Sequence, residues 1–252
     1  MSNVSRLGVL GLAALISLGG AHAASPDPTL IEKGRALFAD KSLSAGGVIA
    51  CANCHPNNGH TDNKSYASLE VVADGDPKGR STPTLWGAGT RSVYAWAGTA
   101  PALEGNIRGI IVNRMKGAEP APETLAALSA YVRSLTPPRT GNIADDGTPA
   151  DKAPAAVKRG FALFTGPGGC GACHVPGSFD KAEIEDVGTE GKFKVPSLWS
   201  VSQTAPYLHD GRTKSLAEAA KAMWEANGKK IGKPSSPSEA QLADLLAYLN
   251  SL

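Results

Sequence analysis

Apolar residues recur at three- and four-residue intervals in two distant parts of the chain. Leu125, Leu128, Val132 and Leu135 keep that rhythm in one, and Leu242, Leu245, Leu246 and Leu249 in the other. The spacing predicts two amphipathic helices, each burying one face. Ser238-Glu-Ala-Gln241 precedes the second with the spacing of a capping box. Strict alternation is scarce, so little strand is expected. One apolar run differs in kind. Leu7 to Gly20 is 14 residues long, follows Arg6 and leads into Ala21-His22-Ala23. A positive charge, a short apolar core and a small-x-small site are the marks of a secretory signal peptide over residues 1–23. The run is short for a bilayer span of about 20 residues, so an uncleaved anchor is the lesser reading. The chain is therefore expected to be exported, to the periplasm, and to begin near Ala24 after cleavage.

The remainder reads as a duplicated module. Gly34-Arg-Ala-Leu37-Phe38 pairs with Gly160-Phe-Ala-Leu163-Phe164, and Pro83-Thr-Leu85-Trp86 with Pro196-Ser-Leu198-Trp199. Tyr94 and Gly98 match Tyr207 and Gly211, and the modules end in Tyr131-Val-Arg-Ser-Leu135 and Tyr248-Leu-Asn-Ser-Leu252. A repeat this long indicates two domains rather than a solenoid. Thr136-Pro137-Pro138 stops a helix, and turn-rich sequence continues to Pro154. The expected division is a first domain over 24–135, a linker over 136–154 and a second domain over 155–252.

Composition narrows the chemistry. Twenty-five Lys and Arg against 23 Asp and Glu leave a formal charge of +2, which gives no electrostatic case for nucleic-acid binding. Aromatics are 6% of the chain, with 29 glycines and 18 prolines, so bulky side chains are few and a prosthetic group could share the core. The four cysteines supply the candidate. They form Cys51-Ala-Asn-Cys54-His55 and Cys170-Gly-Ala-Cys173-His174, two copies of C-x-x-C-H, the attachment pattern of c-type haem. Two thiols three residues apart share one helical turn and can add to two vinyl groups on a porphyrin edge, and the next histidine can reach the iron. A four-thiolate zinc site or a pair of disulfides gives no reason for a histidine after each pair. The expectation is two covalent haem c groups. Cys51, Cys54 and His55 would hold the first and Cys170, Cys173 and His174 the second, in an all-α fold of two tandem cytochrome c-like domains.

The sixth iron ligand decides what such haems can do: methionine favours electron transfer, and an open position permits oxygen or peroxide chemistry. Once Met1 leaves with the signal, each module keeps one methionine, Met115 and Met223, placed between its Trp and its last helix. Both are candidate ligands, with core packing as the alternative. His60 is the rival for the first iron, though only five residues from His55; His209 is a weaker one for the second. Trp86, Trp96 and Trp199 could lie between the haems or pack against them. Lys229, Lys230 and Lys233 could greet an acidic partner or be a solvated surface.

Val195-Pro-Ser-Leu-Trp-Ser-Val-Ser-Gln-Thr204-Ala-Pro206-Tyr-Leu-His209-Asp-Gly-Arg212 closely resembles the second-domain signature of bacterial di-haem cytochrome c peroxidases and the related MauG proteins. The first domain is similar, more loosely, through Gly59-His-Thr61-Asp62, Arg80-Ser-Thr-Pro83-Thr-Leu85 and the Trp96 region. The resemblance implies that the second haem admits electrons, with a methionine ligand fourteen residues after the His-Asp-Gly histidine, which here is Met223. It implies peroxide reduction at the first haem, with a displaceable histidine where this chain has Val71 and a glutamate where it has Arg114. The family's Trp-Asp-Gly-Arg reads Trp96-Ala97-Gly98-Thr99. A calcium ion between the domains is also implied, held partly by carbonyls at Thr204 and Pro206. Its asparagine partner is Ser81 here, which removes a ligand.

These departures lead to a periplasmic di-haem electron-transfer cytochrome as the expected function, exchanging electrons with a small redox protein (cytochrome or cupredoxin) or a periplasmic dehydrogenase. Arginine does not deprotonate in proteins and cannot serve as general base. The alternative is an enzyme that reduces hydrogen peroxide at the first haem. A haem-based ligand sensor is the least favoured, since no signalling domain is attached.

Overall fold

The structure, a computed structural model, describes residues 27–66, 79–186, 188, 191–233 and 235–252. Residues 1–23, read above as a signal peptide, and Val71 lie outside them. The fold is helix-dominated. The first module contributes α1 (Pro28–Phe38), two single-turn pieces α2 (Cys51–Cys54) and α3 (Pro56–Gly59), α4 (Leu103–Gly109) and α5 (Pro122–Ser134). The second contributes α6 (Ala155–Thr165), α7 (Leu216–Lys230) and α8 (Glu239–Leu249). Asp27 caps α1 through Thr29 N, Ser215 caps α7, and Ser238 and Gln241 form the reciprocal capping box of α8.

Each module is built on one crossing of its first long helix over its last. Gly34 of α1 lies against the Ala127 carbonyl and Tyr131 of α5; Gly160 of α6 lies against the Asp244 carbonyl and Tyr248 of α8. Only a residue without Cβ lets the backbones approach this closely. Beside each crossing sits a buried phenylalanine, Phe38 with its ring 5.1 Å from Tyr131 and Phe164 with its ring 5.3 Å from Tyr248. Burial of a side chain such as Phe164 contributes about 2–3 kcal/mol.

The modules match in finer detail. Short 3-10 turns at Ala88–Thr90 and Val201–Gln203 each follow a left-handed residue, Gly87 and Ser200. Tyr94 bridges Ala100, and Tyr207 bridges Thr213. All these pairs are 113 residues apart.

Strand is confined to two small antiparallel pairs, β1 (Ser65–Tyr66) with β2 (Arg80–Ser81) and β3 (Lys181–Asp186) with β4 (Lys192–Val195). This agrees with the expectation of little strand, and the β3–β4 hairpin is the larger of the two pairs. β3 reads Lys-Ala-Glu-Ile-Glu-Asp; its brief alternation rests on Ala182 and Ile184 alone, and both are exposed, so no buried apolar face marks it. The segment read as a linker also has structure. Ile143 and Ala153 are buried in the second core, Thr140 Oγ1 donates to the Ser251 carbonyl at 2.6 Å, and Tyr248 Oη donates to the Gly147 carbonyl at 2.8 Å.

Candidate haem sites and the interface between modules

The second C-x-x-C-H opens on a cavity of about 280 Å³ whose lining includes Cys170, Cys173, His174 and, from α7, Met223. A 3-10 turn at Cys170–Ala172 places the thiols, and the His174 amide closes it on the Cys170 carbonyl. His174 Nδ1 lies 3.0 Å from both the Phe179 and Pro196 carbonyls. A proton on Nδ1 satisfies them and leaves Nε2 with a free lone pair, the arrangement typical of metal-bound histidine. Burial holds the His174 pKa below the ordinary imidazole value, so the ring is neutral. Phe164, Leu245 and Leu249 supply apolar wall. The residues present fit a haem here.

The first C-x-x-C-H forms the α-helical turn α2, with the His55 amide bonded to the Cys51 carbonyl. Burial lowers the His55 pKa to about 4. Its Nδ1 is buried without a hydrogen-bond partner, beside the backbone of His60 and Pro83. Pro83 is the counterpart of Pro196. Burial raises the Cys54 thiol pKa, opposed in part by the charges of Arg114 and Lys64, so Arg114 stands near the first motif. No disulfide joins the four cysteines, and burial lifts the Cys51 and Cys170 thiols to about 11.

Met115 and Met223 are not equivalently placed. The 113-residue offset that relates Leu103 to Leu216 makes Ile110 the counterpart of Met223. Met115 lies five residues further, after a π-helical turn at Ile110–Arg114, and is 4% exposed among the first-module core residues. His60 is engaged elsewhere. Its Nε2 lies 3.0 Å from the Gln203 carbonyl of the second module, its Nδ1 3.3 Å from the Thr84 hydroxyl, and its ring stacks on Trp86 at 4.1 Å. His60 thus ties the modules together rather than facing the first motif. His60→Ala is expected to destabilise the assembled chain by about 1–3 kcal/mol while leaving its bound pigment unchanged. Urea unfolding followed at the haem band checks both parts.

His209 is 3% exposed and stacks on Phe193 at 3.8 Å, with the Arg80 guanidinium over the Phe193 ring at 5.3 Å. Trp96 is half-buried and lines the same cavity as Met223. Trp199 is buried in the second core, with the Arg139 guanidinium 3.4 Å over its ring. Lys229 and Lys230 close α7, and Lys230 pairs with Glu185.

The cavity extends between the modules to Thr84, Leu85, Leu103 and Asn106. That junction has internal two-fold character, which the sequence pattern does not reveal. Ser81 N donates to the His209 carbonyl at 2.9 Å, and Lys194 N donates to the Trp96 carbonyl at 3.0 Å. Ser81 and Lys194 are counterparts, as are Trp96 and His209. Gly98, in left-handed conformation, abuts Ile184 and Lys194; its counterpart Gly211, also left-handed, abuts Ser65. Ala95 and Leu208 take positive φ at matching positions. Ser81 Oγ donates to the Pro206 carbonyl at 2.9 Å, engaging an oxygen that the resemblance would offer to calcium. The residues present do not fit a calcium ion.

Fold and sites together define a tandem c-type cytochrome. Residues 28–140 match the family described as di-haem cytochrome c peroxidase, and residues 157–252 match cytochrome c. A methylamine utilization protein MauG from Methylorubrum extorquens is 30% identical, over 89% of this chain and 78% of that one. Among solved structures, a Kuenenia stuttgartiensis hydrazine synthase chain has a TM-score of 0.71 at 19% identity, covering 100% of both chains. A MauG-like protein associated with microbial copper homeostasis has 0.68 at 21%, covering 91% of this chain and 90% of its own. This chain belongs to the di-haem cytochrome c peroxidase and MauG family. Membership implies haem c as its cofactor. Among the described residues no helix is long and apolar enough to cross a membrane.

Proposed function

We propose that this chain is an exported, periplasmic di-haem cytochrome that passes electrons between two covalently bound haems and a redox partner, a small cytochrome or cupredoxin or a periplasmic dehydrogenase. In this reading Cys51 and Cys54 bond the first haem and Cys170 and Cys173 the second. His55 and Met115 complete one iron, His174 and Met223 the other. Haem supplies a one-electron centre whose potential follows its axial ligands and surroundings. The chain orients it: carbonyls of Phe179 and Pro196 fix the His174 ring, and Phe164, Leu245 and Leu249 exclude water.

The observation that carries the reading is that His174 and Met223 line one cavity with both cysteines. Electron transfer is favoured over catalysis because Arg114, where the resemblance places a glutamate, cannot shuttle a proton. A second reading, peroxide reduction at the first haem, is favoured by a different observation. Met115 is displaced by five residues from the Met223 counterpart and is packed among core residues, and a first iron without methionine is open.

Absorption spectra separate the two. Two low-spin haems that peroxide leaves unchanged, with Met115→Ala turning only the first high-spin, are expected for the electron carrier. A high-spin first haem in the unaltered protein, with sustained peroxide consumption from a reduced donor, would establish the enzyme.

A further inference from the structure

Two cations face the cavity between the modules without a close counter-charge. Lys194, on β4, is 7% exposed and lines the cavity, and its ammonium has no hydrogen-bond or ion-pair partner among the described residues. Arg91 reaches the same cavity from the first module. Its terminal nitrogens donate to the Thr84 and Trp86 carbonyls at 3.4 and 3.1 Å, and its Nε is buried without an acceptor. Of the carboxylates nearby, Glu185 is held by Lys230. Asp180 acts on both cations through its charge and pairs with neither. Burial and then the Arg91 charge push Lys194 down to about 7, against the pull of Asp180. His174 feels the Lys194 charge as well, so the ammonium stands close to the second motif. Buried charges are ordinarily paired, and the partner missing here is an anion that enters the cavity.

We propose that Lys194 and Arg91 form a carboxylate-binding pair, one cation from each module, that receives the propionates of the haem attached at Cys170 and Cys173. This rests on the haem assignment above and adds the residues that hold its acidic edge. Arginine and lysine suit the task differently: the guanidinium is planar and fixed by two carbonyls, and the ammonium is a point charge on a flexible stem. A propionate held at the junction would also stitch the modules together.

The test uses the full holoprotein with Lys194→Met, Lys194→Gln and Lys194→Arg. Haem stain on a denaturing gel reads covalent pigment, and spectroelectrochemistry reads the midpoint of the second haem, with and without excess acetate. Removing a positive charge beside the propionates favours the oxidised form. Lys194→Met and Lys194→Gln are expected to shift that equilibrium about tenfold, or about 59 mV downward. Lys194→Arg is expected to keep the wild-type midpoint, and acetate to have no effect, because tethered carboxylates fill the site. Full pigment with an unchanged midpoint in both neutral variants overturns the pairing alone. A wild-type midpoint that moves with acetate assigns the site to a free carboxylate and overturns the propionate assignment. Wild-type chains exported without covalent pigment overturn this inference and the haem reading together.

Discussion

Replacing Cys170 and Cys173 together with serine is expected to halve the covalent pigment per chain and to leave the second module without a stable fold. Serine is nearly isosteric with cysteine but forms no thioether, so the porphyrin loses its tether. The cavity wall of Phe164, Leu245, Leu249 and Met223 then faces water or collapses. A module of about 100 residues has little apolar surface in reserve, and a ligand that binds only the folded state contributes directly to its stability. Pyridine-haemochrome titration should fall from two haems to one, with a loss of ellipticity at the helix bands. The matching pair of changes at Cys51 and Cys54 should spare the second haem. Two haems retained after the Cys170 and Cys173 changes would refute covalent attachment at that motif.

The second large effect is expected at the helix crossings. A Cβ on Gly160 would fall well inside van der Waals contact distance of the Asp244 carbonyl oxygen and 2.7 Å from Tyr248 Cβ. Gly160→Val therefore forces α6 and α8 apart. Overpacking of this kind costs about 3 kcal/mol, which lowers the melting temperature of a domain this size by roughly 12–24 °C. Gly34→Val should do the same to the first module through the Ala127 carbonyl and Tyr131. Gly105, in α4, has nothing within 4 Å of the place a Cβ would take, so Gly105→Ala should stabilise by about 0.4–1 kcal/mol. Thermal unfolding followed by circular dichroism checks all three.

The parts of this molecule that are legible in the sequence are those written as periodic or repeated patterns. Leu242 to Leu249 and the Ser238–Gln241 box can be read because a helix buried on one face must repeat its apolar residues. The cysteine pairs can be read because thioether chemistry fixes their spacing. β3 is not legible, because its two apolar residues, Ala182 and Ile184, are exposed and too few to mark a buried face. Nor is the role of His60, whose deciding partner, the Gln203 carbonyl, is 143 residues away. Arg91 and Lys194 escape notice for a related reason: a charged residue in sequence reads as solvated surface. One signal exists for Lys194. It stands in register with Ser81, and a lysine replacing a small polar residue inside an otherwise matched stretch marks a difference between the two halves.

The reciprocal contacts at the junction also bear on where the two halves of the chain differ in length. The distance between counterparts is 126 residues at Gly34 and Gly160, 119 at the cysteines and 117 at the terminal tyrosines. From Ser81 through Leu103 it stays at 113. That stretch carries both edges that clasp each other, and one residue gained or lost there would throw two carbonyls, two glycines and two amides out of alignment at once. The mutual grip works as a ruler: loops on either side of it differ in length between the halves, while the graduated part has the same length in both.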